Sequence, residues 1–430
     1  MSTLAIAPLT RAPDADVVVP GSKSYTNRAL VLAALASGTS RLSGALFADD
    51  TAAMAGALSA LGATVRLDPA AATVEVDGLG GVLGPGPVTL DVRLSGTTAR
   101  FVLPVLALGP GPYRIDGGEP LRRRPMAPLV AALRTMGAEV VERGVHGHLP
   151  LDVRGGALTG GEIDVPADLS SQFVSGLLLV APLVPGGLGL RLVGPAVSRP
   201  YLAMTVAVMR AFGAVVDERA DGFDVAPGGY RAIHQAVEPD ASAASYFFAA
   251  AALTGGRVRV RGLDRRSLQG DLAVVDVLAA MGAEVTNGAG WTEVRGTGQL
   301  RGIDVDLADL PDMAQTVAVV AARADGPTRV RGVGIIRHHE TDRIAAVVAE
   351  LRRLGVGADE HDDGFTVHPA PVRGATVRTY DDHRMAMSFA LLGLVAPGVV
   401  IDDPGCVAKT FPDYFAALDR LRATGTAGGR

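Results

Sequence analysis

Apolar and polar positions along this chain fall into two recurring phrases. The first is the end of an amphipathic helix, a glycine, and then an alternating strand. It occurs as “ALSALGATVRL” from 57, “ALRTMGAEVVE” from 132, “VMRAFGAVVDE” from 208, “VLAAMGAEVTN” from 277 and “LRRLGVGADEH” from 351. Its glycines are Gly62, Gly137, Gly213, Gly282 and Gly355, roughly 70 residues apart, a period of supersecondary size. The second phrase joins an apolar helix end to a short strand. Its copies are “LAALASGTSRLSG”, “VLALGPGPYRIDG”, “LVAPLVPGGLGLRLVG”, “AAALTGGRVRVRG”, “VVAARADGPTRVRG” and “LLGLVAPGVVIDDPG”. The pattern predicts six α/β units, each with helices and several strands. Chance likeness in an Ala/Gly-rich chain explains one or two copies, but not two phrases in order along the whole length.

The helices that lead into the second phrase start as “SKSYTNRAL” from 22, “SGTTARFVL” from 95, “SSQFVSGLL” from 170, “DASAASYFF” from 240, “DMAQTVAVV” from 312 and “DDHRMAMSF” from 381. Each opens on a small polar or acidic residue, as an N-cap requires. Helix N-termini carry free amides and the positive end of the dipole, so several facing one way favour an anionic small molecule. Any one of them alone is only a capped helix.

Composition narrows the classes. A length of 430 residues favours two domains. Hydrophobic residues make up 48% of the chain, which gives ample core, and the net charge of -5 argues against a general nucleic-acid surface. A single cysteine, Cys406, excludes an internal disulfide and a multi-cysteine metal site. The apolar stretches near 174 and 385 are interrupted by Pro182, Pro185 and Pro397 and fall short of membrane spans. With no secretory pattern at the N-terminus, a soluble cytoplasmic protein is expected.

All but two of the 40 basic residues are arginine, the exceptions being Lys23 and Lys409. A GC-rich coding sequence accounts for most of that bias. Lysines that survive it mark places where a compact ammonium is needed and a planar guanidinium does not serve. Lys23 lies in “PGSKSYTNRAL”, which looks like a phosphate loop. A P-loop needs glycine where Ser22 and Val17 stand, so an ATP site is excluded. A cation in a helix's first turn opposes the dipole, and a bound anion removes the conflict.

With these pieces in place the chain resembles the EPSP synthase (3-phosphoshikimate 1-carboxyvinyltransferase) family of enolpyruvyl transferases, nearly end to end. The motifs are “PGSKSYTNRALVLAALASG”, “SGTTARF”, “GEPLRRRPM”, “SSQFVSGLL”, “VSRPY”, “EPDASAASYF”, “LQGD”, “DLPDMAQT”, “HHETDRI”, “DDHRMAMSF” and “DPGCVAKTFPDY”. The resemblance implies a two-domain inside-out α/β barrel of six βαβαββ repeats, three per domain. Residues 21–234 would form one domain and 1–20 with 235–430 the other, joined by a double crossover, with the active site in the cleft between them. It implies transfer of the enolpyruvyl group of phosphoenolpyruvate to the 5-hydroxyl of shikimate 3-phosphate, through a tetrahedral intermediate, with no metal or organic cofactor. A monomer is the family expectation.

The same resemblance assigns residues. Lys23 would contact both substrates, and Ser24, Arg28, Ser170, Ser171, Gln172 and Ser198 would hold shikimate 3-phosphate, with Tyr201 packing nearby. Gly96, Arg124, Gln172, Arg343, Arg384 and Lys409 would hold phosphoenolpyruvate. Gly96 lets a ligand approach the backbone, and its neighbours Leu94 and Ser95 depart from a common Asn-Ala pair. Arg122 and Arg123 read as a solvated charge run. Asp312 matches the proposed general base and belongs to the shikimate 3-phosphate set; either it takes the 5-hydroxyl proton or it orients the hydroxyl while Lys23 takes a catalytic part in proton transfer, and a cap role is also open to it. Glu340 matches the residue that exchanges a proton with the substrate methylene. His383 reads as a structural partner of Asp382 and Arg384. These cations are expected to repel one another until substrate arrives.

His339 departs from the lysine common in the family, yet belongs to the expected catalytic and shikimate 3-phosphate set. Imidazole is less protonated than ammonium at neutral pH. His339→Lys is therefore expected to extend activity to more alkaline pH; an unchanged pH–rate profile would refute this.

Three rivals are open at this stage. A UDP-N-acetylglucosamine enolpyruvyl transferase would carry a loop cysteine, whereas Cys406 sits in “DPGCVAKTF”. An RNA 3'-phosphate cyclase-like protein fits poorly with the acidic charge, and a non-catalytic anion binder has no need of Asp312 and Glu340 together.

Overall fold

The computed structural model describes residues 2–195 and 197–424. The chain packs as two compact units, Gly21–Val237 and Met1–Pro20 together with Glu238–Arg430. The division falls at 237 rather than the expected 234, because the strand His234–Ala236 pairs in parallel with Thr39–Ser43.

Among the described residues, each unit carries three sheets. One pattern recurs in five of the six. In Gly21–Val237, Val88–Asp91 lies parallel to Tyr113–Asp116, which is followed by an antiparallel hairpin of Leu151–Arg154 and Glu139–Glu142. Gly161–Pro166, Leu188–Val193, Gly222–Val225 and Val216–Arg219 repeat it. The sheet around Thr39–Ser43 takes its parallel strand from His234–Ala236. In the other unit, the sheet around Arg257–Arg261 takes its parallel strand from Asp14–Val17. The two chain crossings therefore each deliver one strand.

The sixth sheet departs from the βαβαββ expectation. Thr376–Val377 lies parallel to Val400–Asp402, but the position of the hairpin strand is filled by Thr3–Ala5 from the other end of the chain. Among the described residues this sheet has three strands.

Inside each unit the three predicted helices pack on one another: Lys23–Leu35, Gly96–Leu106 and Ser171–Val180 in one, Ala241–Thr254, Ala314–Ala321 and His383–Gly393 in the other. Every residue of Gly96–Leu106, Ala314–Ala321 and His383–Gly393 is buried. Helices enclosed on all sides are apolar all round and rich in small residues. Gly176 shows why: a Cβ there would meet the Arg100 carbonyl oxygen at 2.4 Å. The five repeat glycines all have positive φ, from 81° at Gly355 to 109° at Gly62 and Gly282, as helix-ending positions demand.

Five of the six helix starts carry the expected cap. Ser22, Ser95, Ser170, Asp240 and Asp382 each accept a backbone N–H of the first turn. Asp312 does not. Pro311–Met313 forms a 3-10 turn, Met313 occupies the cap position without a side-chain bond, and the Asp312 carboxylate points elsewhere.

Candidate active site

In the unit that contains residues 238–430, the charged groups gather on Arg343. This residue opens the helix Arg343–Arg353, capped by Asp342, and is 1% exposed. Its Nε donates to Asp382 Oδ2 at 2.7 Å and its Nη2 to Asp382 Oδ1 at 3.2 Å. Nη2 also donates to Glu340 Oε2 at 2.8 Å. Nη1 donates to Asp312 Oδ1 at 2.8 Å and to His339 Nδ1 at 3.0 Å. A guanidinium has five N–H donors, and every one is engaged. Burial works against the Arg343 charge, but Asp382, Glu340 and Asp312 outweigh it and hold the group above its ordinary range.

Because a guanidinium can only donate, His339 Nδ1 must accept, and the ring proton lies on Nε2. Arg384, 5% exposed, donates through Nη2 to Asp312 Oδ2 at 2.7 Å. Lys409 Nζ stands 3.9 Å from Glu340 Oε1. The expected repulsion among cations therefore does not arise within this unit, since Asp312, Glu340 and Asp382 are interleaved with Arg343, Arg384 and Lys409. Both Asp312 oxygens accept from an arginine, which favours the charged form of the carboxylate and makes it a weaker base. His383, 1% exposed, has Nδ1 3.7 Å from Asp382 Oδ1, in keeping with a structural role.

Asp271 adds a carboxyl that the sequence reading left out. It is 3% exposed and accepts the Ser242 hydroxyl. Burial, reinforced by the charge of Asp312 and partly offset by Arg384, pushes it up to about 6. A carboxyl raised in this way favours folding below its unfolded pKa, and that contribution is lost as pH rises through the folded value. Asp271→Asn is therefore expected to gain about 1–3 kcal/mol relative to the parent between pH 4 and pH 7, measured by urea unfolding at both. A pH-independent difference would count against it.

The unit Gly21–Val237 presents a second set. Lys23, the first residue of its helix, lies 3.5 Å from Asp50, which is 3% exposed. Gly96 faces Arg124: a Cβ at 96 would come within 2.7 Å of Nη1. Gln172 Oε1 accepts Arg100 Nη1 at 2.8 Å, and Arg100 Nη2 reaches the Pro125 carbonyl at 3.4 Å. Ser171 and Ser198 are buried, and Ser198 holds a left-handed φ of 52° at the start of the helix Arg199–Ala211. Arg122 pairs with Asp116 and Arg123 with Glu119 at the surface, as a solvated run should.

Arg28 is 2% exposed and has only neutral partners. Nε donates to Thr205 Oγ1 at 2.7 Å, Nη1 to the Ser24 carbonyl at 2.9 Å, and Nη2 to Ser175 Oγ at 3.3 Å and the Tyr201 carbonyl at 3.2 Å. Its guanidinium also lies over the rings of Phe101 and Tyr201. Burial pulls it down to about 10. A cation buried without a counter-charge is stabilised by an arriving anion.

Arg100 was missed, although it lies in the quoted “SGTTARF”. A cation near the start of an apolar helix is the same signal that singled out Lys23. Burial raises the Cys406 thiol to about 12, the wrong direction for a nucleophile. Among the described residues no group of His, Cys, Asp and Glu is arranged to hold a metal ion, and no helix is long and apolar enough to cross a membrane.

Buried cations at helix starts, interleaved with carboxylates on an α/β frame, are the chemistry of an enzyme class that handles small polyanions. The family model described as EPSP synthase (3-phosphoshikimate 1-carboxyvinyltransferase) matches residues 10–418. The 3-phosphoshikimate 1-carboxyvinyltransferase of Trichormus variabilis is 47% identical over 423 residues, covering 98% of this chain and 99% of its own. That of Aliivibrio salmonicida is 42% identical over 432 residues, with 98% and 100% covered. Among solved structures, EPSP synthase from Acinetobacter baumannii aligns with a TM-score of 0.84 at 27% identity over 98% of both chains. The chain belongs to the EPSP synthase family.

Proposed function

We propose that this enzyme transfers the enolpyruvyl group of phosphoenolpyruvate to the 5-hydroxyl of shikimate 3-phosphate, releasing phosphate. The observation that carries this is identity of 47% over 98% of the chain to a curated 3-phosphoshikimate 1-carboxyvinyltransferase. In the addition step the hydroxyl oxygen bonds to C2 of phosphoenolpyruvate and a proton reaches the methylene. In the elimination step the C–O bond to phosphate breaks and a methyl proton leaves.

Arg28, whose buried charge has only neutral partners, is suited to the phosphate of shikimate 3-phosphate, with Ser24, Ser170, Ser171, Gln172 and Ser198 as its companions. Lys23 is assigned to both substrates. Arg124 beside Gly96 is assigned to phosphoenolpyruvate, together with Arg343, Arg384 and Lys409. Asp312 takes the hydroxyl proton and Glu340 serves the methylene, with His339 Nε2–H as a further donor.

Saturation of Arg343 links binding to chemistry. An incoming anion can reach this guanidinium only by displacing one of its present partners. If that partner is Asp312 or Glu340, the released carboxylate loses a cation that favours its charged form, so ligand arrival strengthens the base it needs.

Cytoplasmic location and a monomeric state belong to the same proposal and rest on the family alone. The test is to mix the protein with shikimate 3-phosphate and phosphoenolpyruvate and follow phosphate and EPSP. Equal release of both is expected, and no turnover by folded protein defeats the reading.

A further inference from the structure

Behind the arginine cluster lies a buried carboxylate that no reaction step uses. Glu350 sits two turns beyond Arg343 on the same helix and is 0% exposed. It accepts the Tyr380 hydroxyl at 2.7 Å, the Arg378 backbone N–H at 3.0 Å and Arg353 Nε at 2.9 Å. A carboxylate taken out of water is costly unless saturated in this way.

Two of those donors come from the segment that leads to Asp382. Within it, Tyr380 and Asp381 are consecutive non-glycine residues at φ 55° and 57°. Side chains rarely adopt that region, and they keep it only where the surroundings enforce it. The next residue is Asp382, whose N–H donates to the Thr379 carbonyl at 2.9 Å and whose carboxylate grips Arg343 and the Arg384 backbone N–H. Glu350 thus holds one end of a strained turn, and the other end carries the group that grips the Arg343 guanidinium and caps the helix of Arg384. Asp381, inside the turn, also lies within electrostatic reach of Lys409 and Glu340.

We propose that Glu350 is a positioning residue for the reaction: through the Tyr380 hydroxyl and the Arg378 N–H it holds the Tyr380–Asp381 turn, and so aims Asp382 at the Arg343 guanidinium and at the backbone N–H that starts the Arg384 helix. This rests on the reading that Arg343 and Arg384 receive phosphoenolpyruvate. Gly at 380 or 381 would fold the turn without strain but would leave it loose. Tyrosine tied to a buried carboxylate makes it rigid.

Glu350→Ala strands several donors and risks unfolding, so the decisive variant is Tyr380→Phe, which removes one hydroxyl and leaves Glu350 its other two donors. Its KM for phosphoenolpyruvate is expected to rise about tenfold, with that for shikimate 3-phosphate within about twofold. Arg353→Ala, which removes the Glu350 contact outside the turn, is expected to leave both constants unchanged. A Tyr380→Phe enzyme with parental kinetics, or with both KM values raised equally, overturns the proposal while the reading of the site stands. A folded parent that neither binds nor turns over the two substrates defeats that reading, and this proposal with it.

Discussion

Lys23→Arg is expected to lower kcat/KM by about 10²–10³-fold while leaving the melting temperature close to that of the parent. The charge is kept, so any loss reports shape. Lys23 Nζ stands 3.5 Å from Asp50, with its side chain 15% exposed. A guanidinium here would be longer and planar, and Asp50 could take it in a paired, two-bond grip. That grip would turn the donors away from substrate. Composition makes the same point, because a chain that uses arginine almost everywhere has kept lysine here. Steady-state kinetics with each substrate varied, beside thermal unfolding, tests it. Full activity would refute the requirement for lysine.

Asp382→Asn should lower kcat/KM by at least about 10²-fold and stability by about 3 kcal/mol. The carboxylate is 0% exposed and takes two bonds from Arg343 and one from the Arg384 N–H. Asparagine can still accept that backbone N–H and cap the helix. Its amide nitrogen, however, would face a guanidinium donor with another donor. Arg343 keeps Asp312 and Glu340, so it stays charged but loses the fork that sets its angle. Urea unfolding without ligand and kinetics with varied phosphoenolpyruvate separate the two effects. An Asp382→Asn enzyme with parental KM would show that the fork is dispensable.

The helix starts and the glycines that end helices were legible because both are local signals. A cap lies within three residues of its donor, and a left-handed glycine marks its own position. Asp312 misled in one respect: Pro311 draws it into a 3-10 turn, and its carboxylate serves arginines instead of amides. The sixth sheet was illegible because its third strand, Thr3–Ala5, comes from the far end of the chain. The site shows the same divide. Arg343 could be picked out by resemblance, and Glu340 and His339 lie three and four residues before it, a pairing distance, but Asp312 and Asp382 lie 31 and 39 residues away, and no spacing rule gathers those. Arg100 and Glu350 escaped for a related reason. Each acts on a residue distant in sequence, Gln172 for the one and Tyr380 for the other.

Filling four of the five Arg343 donors with the protein's own acids, and the fifth with His339, makes those groups tethered competitors. They act at the high effective concentration of groups on one scaffold, so a lone monoanion such as chloride or acetate gains little by trading places with them. A ligand that brings a phosphate and a carboxylate together can displace one and compensate for it in the same event. The resting enzyme would then discriminate by the number of charges a visitor carries, before any contact reads its shape.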